Sequence, residues 1–445
     1  DGDLDLDLIV GNSGETNLTY ENLGGVGAAW LGFGAANEIS VDAKNTTALV
    51  LADIDDDGHD DLVVANLLEA NRLYLGDGTG GFGAGSDIGD ENDPTSSIAV
   101  SDLNGDGLLD IVVGNRGLQN RVYINGGEYI DTAPDPDVVT RVTFLSPVAV
   151  GAEFDDTNDI TIGDVDGADS LDIVVVNDGE NAVYLLDVDT ATITVALAAN
   201  TTLGNSSVAA FVAQLQGVVD AAIDAMSGAD ELGLVAGDIV VELDGDDIVI
   251  RLAQTATTAG ITLGNTTAAA AELNLKRDEE DDTALEVDYA YSQTLDIVRI
   301  LSADVITFGD AADNSTAVEL VDVDVDGDLD FVVTNNGSLS YVYLRNGATA
   351  LTDTASFAAA FTTTAIGDDT DDPSNANFSA ATTAVAVRDL DGQGNLDIVT
   401  GQTGDNTIVF LNNTDFTGSA VGSTVSIATN EIRLVLPAGK FLRLE

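Results

Sequence analysis

A short acidic loop recurs along this chain, each time between two hydrophobic segments, and this repeat limits the fold more than any other feature. The loop has the form D-x-[DN]-x-D-G-x-x-D, and Val, Ile and Leu are frequent on both sides of it. A third hydrophobic segment with an aromatic residue follows after a short turn. Recurrence of such a unit predicts a repeat architecture in which neighbouring units share a core. We therefore expect a mainly β protein built from strand–loop–strand units.

The clearest copies of the unit begin at Thr46 and Ser96, and weaker copies begin near residues 158, 315 and 382. A truncated copy opens the chain, and we number it the first. Three loops carry the full pattern: the second (Asp53, Asp55, Asp57, Asp61), the third (Asp102, Asn104, Asp106, Asp110) and the fifth (Asp322, Asp324, Asp326, Asp330). Positions one to nine of each loop are counted from its first Asp.

The spacing of the acids in these loops predicts a calcium site. Acids at alternate positions of a curling loop aim several carboxylates at one point, and the glycine at position six permits the left-handed turn that closes the loop. Hard divalent ions prefer oxygen ligands, and calcium tolerates irregular geometry better than magnesium. The backbone carbonyl at position seven, which belongs to His59, Leu108 or Asp328, is a natural additional ligand.

An EF-hand and a solvated acidic turn each share part of this pattern. An EF-hand needs a Glu at position twelve and flanking helices, whereas Val64, Val113 or Val333 occupies that position inside a β-branched run. A solvated acidic turn would account for one loop, because Asp and Asn favour turns. It does not account for several loops in register with a strand repeat.

The remaining loops depart from the pattern. The fourth keeps Asp164, Asp166 and Asp172 but has Ala168 at position five, with Asp169 one place late. The sixth keeps Asp389, Asp391 and Asp397 but has Gln393. The opening copy offers Asp1, Asp3 and Asp5. We expect about three strong calcium sites and two or three weaker ones.

These loops, their flanking strands and the third-strand aromatics (Tyr20, Tyr74, Tyr123, Tyr184, Tyr343, Phe410) resemble the FG-GAP and VCBS repeats, which also form the propeller of integrin α-subunits. The resemblance covers roughly residues 1–186 and 286–445. It implies a β-propeller in which each unit is a four-stranded blade and calcium lies between the first two strands. Counting loops gives six blades, with a seventh, loopless blade near residues 415–445 as the alternative.

The opening copy lacks its first strand, and the alternating pattern of residues 424–436 suits a strand that would complete it. Completion within one molecule closes the propeller, which removes an exposed sheet edge. Completion of a neighbouring molecule gives self-association by strand addition. Both arrangements stay open from the sequence.

The repeat stops between the propeller parts, residues 1–186 and 286–445, and residues 187–285 are predicted to form an inserted α+β module. Residues 207–226 have apolar positions at helical spacing, with Ser206 or Ser207 as N-cap. A hairpin is expected around Asp244-Gly245, and a short helix near residues 267–274.

Composition excludes several classes of function. With 78 acidic and 14 basic residues the formal net charge is -64, so nucleic acid and anionic membranes are not expected as partners. The chain has no cysteine and one histidine, which leaves little for nucleophilic or general-base catalysis, and we expect no enzyme. No apolar run is long enough to span a membrane. Because the chain opens inside a repeat, we expect a processed form whose targeting segment has been removed.

These observations favour an extracellular, calcium-stabilised structural or adhesive protein of a microbial surface, with a repeating subunit of a filament or surface layer as its specific form. Other surface proteins or glycans are the expected partners, and N-x-[ST] sequons raise the expectation of a glycoprotein. Two alternatives stay open: a carbohydrate-binding propeller, and the propeller part of a polysaccharide-degrading enzyme.

Overall fold

The computed structural model describes residues 6–26, 29–89, 92–131, 139–144, 147–151, 155–168, 170–197, 208–224, 239–244, 247–252, 261–265, 275–277, 285–287, 291–310, 313–347, 351–366, 382–390, 392, 394–402, 407–410 and 424–427. The chain divides into two compact units. The first comprises residues 1–103, 107–186 and 302–445, and the second comprises residues 104–106 and 187–301. The domain boundaries given above stay predictions.

Short antiparallel strands make up the first part of the chain. In chain order they are β1 (Leu8–Val10), β2 (Ser13–Glu15), β3 (Leu18–Tyr20), β4 (Gly25–Val26), β5 (Ala29–Trp30), β6 (Asn37–Glu38), β7 (Lys44–Ala52), β8 (Asp61–Asn66), β9 (Asn71–Tyr74), β10 (Ser86–Ile88), β11 (Thr95–Ser101), β12 (Asp110–Asn115), β13 (Asn120–Tyr123), β14 (Asn125–Asp131), β15 (Val139–Phe144), β16 (Val148–Val150), β17 (Thr157–Gly163) and β18 (Asp172–Asn177).

The remaining elements include two helices and two long strands. They are β19 (Asn181–Leu197), α1 (Val208–Asp224), β20 (Ile239–Asp244), β21 (Asp247–Leu252), β22 (Ile261–Asn265), β23 (Leu275–Arg277), β24 (Leu285–Val287), β25 (Tyr291–Phe308), β26 (Ser315–Val321), β27 (Asp330–Asn335), β28 (Ser340–Arg345), α2 (Thr354–Ala360), β29 (Phe361–Ile366), β30 (Thr382–Arg388), β31 (Asp397–Gln402), β32 (Thr407–Phe410) and β33 (Thr424–Ile427).

Each repeat forms a sheet, and in the second to sixth repeats the acidic loop joins two antiparallel strands that are consecutive in the chain. The sheets of the repeats have the orders β1-β3-β6, β10-β9-β8-β7-β2, β11-β12-β13-β16, β17-β18-β19-β25-β22, β26-β27-β28-β29 and β30-β31-β32-β33. All residues of β8, β12, β18 and β27 are buried. Runs of Val, Ile and Leu form these second strands because both of their faces are covered. The predicted mainly β architecture is confirmed.

The hydrophobic core of the first unit lies between successive sheets. Ile54, Val63 and Leu73 of the second repeat pack with Ile111 and Tyr123 of the third. The same arrangement joins the fourth repeat to the fifth, and the fifth to the sixth. The third-strand aromatics Tyr74, Tyr123, Tyr184 and Tyr343 are all buried, at most 6% exposed. In these pairs of repeats, each sheet therefore buries an apolar face against its neighbour in sequence.

A series of side-chain hydrogen bonds also joins the first strands of successive repeats. In the second to fifth repeats, one residue of the first strand lies in a β-bulge, and its side chain donates to the carbonyl oxygen of a residue in the following repeat. These bonds run from Thr47 to Thr95 at 2.9 Å, from Ser96 to Thr157 at 2.6 Å, from Asn158 to Ser315 at 2.7 Å and from Thr316 to Thr382 at 2.7 Å. A β-bulge changes the direction of a side chain from that of a regular strand. Here the change lets the side chain reach the next sheet.

In the second unit, the predicted helix and hairpin are both present. Helix α1 buries Leu215, Val219 and Ile223, as the helical spacing predicted. The Gln216 side chain donates to the carbonyl oxygen of Ile239 and accepts from Val241 N, both at 2.7 Å, which joins α1 to β20. The expected N-cap and the helix at 267–274 lie outside the described residues.

The C-terminal strand that the structure describes lies in the sheet of the sixth repeat. Thr424–Ile427 pairs antiparallel with Thr407–Phe410 and is the outer strand of the sixth repeat's own sheet. This pairing uses one edge of the strand, so completion of the opening sheet, in its own molecule or in a neighbour, stays a prediction. Residues 428–436 of the same prediction, and the end of the alternative blade, lie outside the described residues.

Candidate metal centres

The acidic loops close through left-handed backbone at two positions. At position six, Gly58, Gly107 and Gly327 have φ of 88°, 92° and 101°, so the predicted role of this glycine is confirmed. At position four, Asp56 and Val325 also have positive φ, 58° and 61°. Such conformations cost free energy in residues with a side chain and need support from the surrounding hydrogen bonds.

The Asp at position one supplies part of that support. Asp53 accepts from Asp57 N at 3.0 Å and Gly58 N at 2.9 Å, and Asp322 accepts from the corresponding two nitrogens at 3.0 Å each. In the sixth loop Asp389 accepts from Gly392 N and Gly394 N at 2.7 and 2.9 Å. The loop backbone therefore folds around its first carboxylate.

The Asp at position nine fastens each loop to its sheet. One oxygen of Asp61 accepts from Ile54 N at 2.8 Å, and the other accepts from Gly76 N, after the third strand, at 2.8 Å. Asp110, Asp172 and Asp330 make the same pair of bonds. All of these aspartates are at most 1% exposed. Their first role is structural, because backbone donors use both oxygens.

Burial makes these carboxylates costly to ionise. It raises the pKa of Asp61, and raises the pKa of Asp172 and of Asp330 to about 7. Backbone hydrogen bonds oppose the shift, whereas the charges of Asp166 and Asp324 add to it. A cation placed among these acids would reverse the repulsion.

Three clusters of aspartates in the described residues bring carboxylate oxygens close enough to hold a metal ion. Within each cluster, one oxygen from every residue lies within 4.8 Å of the others. The clusters are Asp53, Asp55 and Asp57 in the second loop; Asp164, Asp166 and Asp172 in the fourth; and Asp322, Asp324 and Asp330 in the fifth.

The fifth loop gives the sharpest test of whether a cation fits. Asp324 Oδ1 is buried and has no hydrogen-bond donor. Burial raises the pKa of Asp324, and the neighbouring charges of Asp326 and Asp322 raise it further. A buried carboxylate oxygen without a donor, beside two other acids, is unfavourable unless a cation supplies the missing partner. Hard oxygen donors with no nitrogen or sulfur among them suit calcium or magnesium.

The other predicted ligands are placed as follows. In the third loop, Asn104 accepts from Asp106 N and donates to Asp106, both at 3.0 Å. Asp102 accepts from Gly107 N at 2.9 Å, and in the sixth loop Asp397 accepts from Leu390 N at 2.8 Å. The carbonyl ligands predicted at His59, Leu108 and Asp328 stay predictions. Asp1, Asp3, Asp5, Asp169, Asp391 and Gln393 lie outside the described residues.

Asp7 is a structural loop residue that the motif did not single out. Its Oδ1 accepts from Asn22 N at 2.7 Å, as Asp61 accepts from Gly76 N. Leu8 pairs with Tyr20 just as Leu62 pairs with Tyr74, so Asp7 holds position nine of the opening loop. The signal was the D-L-[IV]-V-x-N run that follows both aspartates.

A cleft of about 490 Å³ lies between the opening sheet and the second loop. Tyr20, Leu51, His59, Asp60, Thr79 and Phe82 are among its lining residues. His59 is exposed, and its ring lies against Gly78, where an added Cβ would be 2.4 Å away. The cleft is therefore lined by aromatic rings together with residues that carry carboxylate and hydroxyl groups.

Comparison with known families identifies one stretch of the chain. Residues 53–113, which contain the second and third loops, match the FG-GAP-like repeat. The chain therefore contains an FG-GAP-like repeat, and for these residues the resemblance inferred from the sequence is confirmed. None of the curated proteins compared with the chain matches it significantly. None of the helices described is long and apolar enough to cross a membrane.

Similar solved structures are distant in sequence. A lectin of Agrocybe aegerita that recognises non-reducing terminal N-acetylglucosamine is 14% identical, with a TM-score of 0.41, and the match covers 96% of this chain and 80% of that one. BBS1N in complex with ARL6DN, from a mercury-soaked crystal, is 10% identical, with a TM-score of 0.28, and the match covers 82% and 79%. The same complex from a lead-soaked crystal is 9% identical, with a TM-score of 0.27, covering 82% and 77%.

Proposed function

We propose that this chain is an extracellular structural or adhesive protein whose FG-GAP-like repeats are held in shape by calcium, and that it has no catalytic role. The observation that carries the proposal is the convergence of Asp322, Asp324 and Asp330, with one buried oxygen that has no donor. In this proposal each repeat is a propeller blade, and there are six. The sheets packed face to face in sequence, and the bonds between their first strands, support this arrangement.

The charge of the chain supports a role for bound cations. A formal charge of -64 opposes a compact fold, and ions in the loops would offset the repulsion where the carboxylates are densest. Affinities of extracellular calcium modules lie at roughly 0.1–1 mM, so occupancy would follow an environment rich in calcium. Because the oxygen ligands suit calcium and such affinities suit an environment rich in calcium, we place the protein at the cell surface.

Thermal unfolding with and without calcium tests the proposal. We expect millimolar calcium to raise Tm by several degrees at fixed ionic strength, and excess chelator to reverse the gain, because the ion binds the folded loops only. Magnesium at the same concentration is the control for general screening. An equal effect of calcium and magnesium would refute selective binding, and no effect of either would refute the stabilising role.

Assembly into a filament or layer is the more specific form of the proposal. Strand addition through residues 424–436 is the proposed route, and one edge of Thr424–Ile427 is already paired with β32. Electron microscopy of the purified protein with calcium and with chelator tests it. Particles that stay monomeric under both conditions would contradict assembly and leave calcium stabilisation untouched.

Glycan binding is a second candidate, and the cleft beside the second loop favours it. Tyr20 and Phe82 contribute aromatic rings to its lining, while Asp60 and Thr79 offer groups that hydrogen-bond hydroxyls. Its volume of about 490 Å³ is in the range of small-molecule sites. A glycan array should show selective binding that is lost in Tyr20→Ala and kept in Tyr341→Ala, whose ring lies in the fifth repeat. Absence of selective binding would exclude this candidate.

A further inference from the structure

Arg345, at the end of the third strand of the fifth repeat, reaches into the loop of the fourth repeat. Its side chain is buried, 5% exposed. Nη1 donates to the carbonyl oxygen of Val165, and Nη2 donates to that of Asp166 at 2.5 Å. The guanidinium also lies against Gly167, where an added Cβ would be 3.5 Å from Nη2. These three residues are positions two, three and four of the fourth loop.

Other repeats have a residue at the position that Arg345 holds in the fifth repeat, so the contacts of these residues can be compared. Arg345 N donates to Asp330, as Asn125 N donates to Asp110 and Leu186 N donates to Asp172. The Asn125 side chain in turn donates to the carbonyl oxygen of Ile54 at 2.8 Å, and Ile54 is position two of the second loop. The second loop is therefore contacted by a neutral amide where the fourth is contacted by a cation.

The fourth loop is also the one whose acid set is altered. Ala168 replaces the acid of position five, while Asp164, Asp166 and Asp172 keep oxygens within 4.8 Å of one another. A guanidinium carries a positive charge, so a buried one needs acceptors for its hydrogen bonds. The carbonyl oxygens of Val165 and Asp166 supply them, and the guanidinium thereby fixes the backbone of positions two and three without an ion.

We propose that Arg345 is a built-in cationic partner of the fourth loop, which keeps this loop folded without calcium and weakens its binding of calcium. The inference rests on the proposed function, because it assumes that the second and fifth loops bind calcium. It makes the joint between the fourth and fifth repeats independent of calcium, while the second and fifth loops respond to it. The chain would then combine fixed and calcium-dependent repeats.

The first test leaves Arg345 unchanged and counts bound calcium by equilibrium dialysis at about 1 mM free ion. We expect Asp322→Asn, in the fifth loop, to lose one ion relative to the wild type. Asp164→Asn, in the fourth loop, should lose none. Loss of one ion in both variants would overturn the assignment of Arg345 and leave the proposed function intact. If neither Asp322→Asn nor Asp53→Asn lost an ion, both proposals would fail.

The second test exchanges the matched residues. Arg345→Asn should raise the calcium affinity of the fourth loop about tenfold, because it removes a unit positive charge that repels a divalent ion bound in the same loop. That gain should disappear in the double variant with Asp164→Asn. Asn125→Arg should weaken calcium binding in the second loop to a similar degree. Unchanged calcium binding in a folded Arg345→Asn variant would overturn the proposal; if that variant does not fold, the first test decides.

Discussion

The hydroxyl of Ser96 donates a 2.6 Å hydrogen bond to the carbonyl oxygen of Thr157, which lies in the first strand of the next repeat. Thr47, Asn158 and Thr316 make the same connection from their repeats. The bond crosses from one sheet to the next. It therefore couples two sheets whose strands do not pair with each other. The stability of each repeat therefore depends on the following one.

Removing this hydroxyl should weaken the joint between the third and fourth repeats. Ser96→Ala leaves the Thr157 carbonyl without its donor, and we expect the free energy of unfolding to fall by about 1–2 kcal/mol. Ser96→Thr is the control, because threonine stands at this position in the second and fifth repeats, and it should change stability by less than about 0.5 kcal/mol. Urea unfolding at fixed calcium measures both. Equal stability of the alanine and threonine variants would contradict the coupling.

Asp324 should act as a calcium ligand and not as a structural residue. In Asp324→Asn, loss of the charge relieves repulsion with Asp322 and Asp326, so the calcium-free protein should be as stable as the wild type or more stable. The gain in Tm on adding calcium should shrink, with affinity in the fifth loop lower by roughly 10–100-fold.

Asp328→Asn is the matched control for this prediction. Asp328 is expected to offer its backbone carbonyl, which the substitution keeps. Calorimetric titration of calcium into both variants gives the comparison. If Asp328→Asn weakened binding as much as Asp324→Asn, the effect would be one of general charge and not of ligation.

Asp61 should act as a structural residue and not as a calcium ligand, because its oxygens accept from Ile54 N and Gly76 N. In Asp61→Asn an amide NH₂ faces one of these donors inside the protein, and we expect a loss of about 2–4 kcal/mol. The loss should be similar with calcium and with chelator. Asp60→Asn, an exposed neighbour, should change stability by less than about 0.5 kcal/mol. A loss seen only in the presence of calcium would make Asp61 a ligand first.

Asp159 should make stability depend on pH away from the proposed metal ligands. It accepts from Ser97 Oγ at 2.7 Å and from Val318 N at 3.0 Å, so it joins three repeats. Burial raises the pKa of Asp159 in the folded protein, and these hydrogen bonds oppose the rise. The folded state therefore holds this proton more tightly than the unfolded state. Its contribution is complete below the unfolded pKa, about 4, and is lost as pH rises through the folded pKa.

Comparison with Asp159→Asn isolates this contribution from the many other acids. The asparagine does not titrate, so the stability of the wild type relative to the variant should fall as pH rises from about 4 towards neutrality. Asp156→Asn, which changes an exposed acid nearby, should follow the wild-type profile. Parallel profiles for the wild type and Asp159→Asn would show that Asp159 titrates alike in both states.

Much of the fold could be predicted because its signals are local. Val, Ile and Leu on both sides of the loops predicted the strands that flank them, and the second of these strands is fully buried in four repeats. Helical spacing predicted α1, whose Leu215 and Val219 are buried as expected. In each case hydrophobic periodicity specifies which side of the element is covered, whatever covers it.

Strand register and long-range contacts could not be predicted from such local signals. Aspartates stand at every second position in the opening residues, so the motif fits more than one alignment, and the pairing of Leu8 with Tyr20 assigns position nine to Asp7. Arg345 lies 180 residues from Val165, and no local pattern predicts their contact. The same is true of the pairing of Thr424–Ile427 with β32.

The sequence by itself determined the repeat, the strands on each side of the loops and the acids that could hold an ion. These follow from residue type and spacing, which act over a few residues of chain. Only the tertiary structure decided which oxygens the backbone already uses, which converge, and which loop has a guanidinium beside it. Those properties depend on neighbours from other repeats, because hydrogen bonding and burial are set by what packs against a residue.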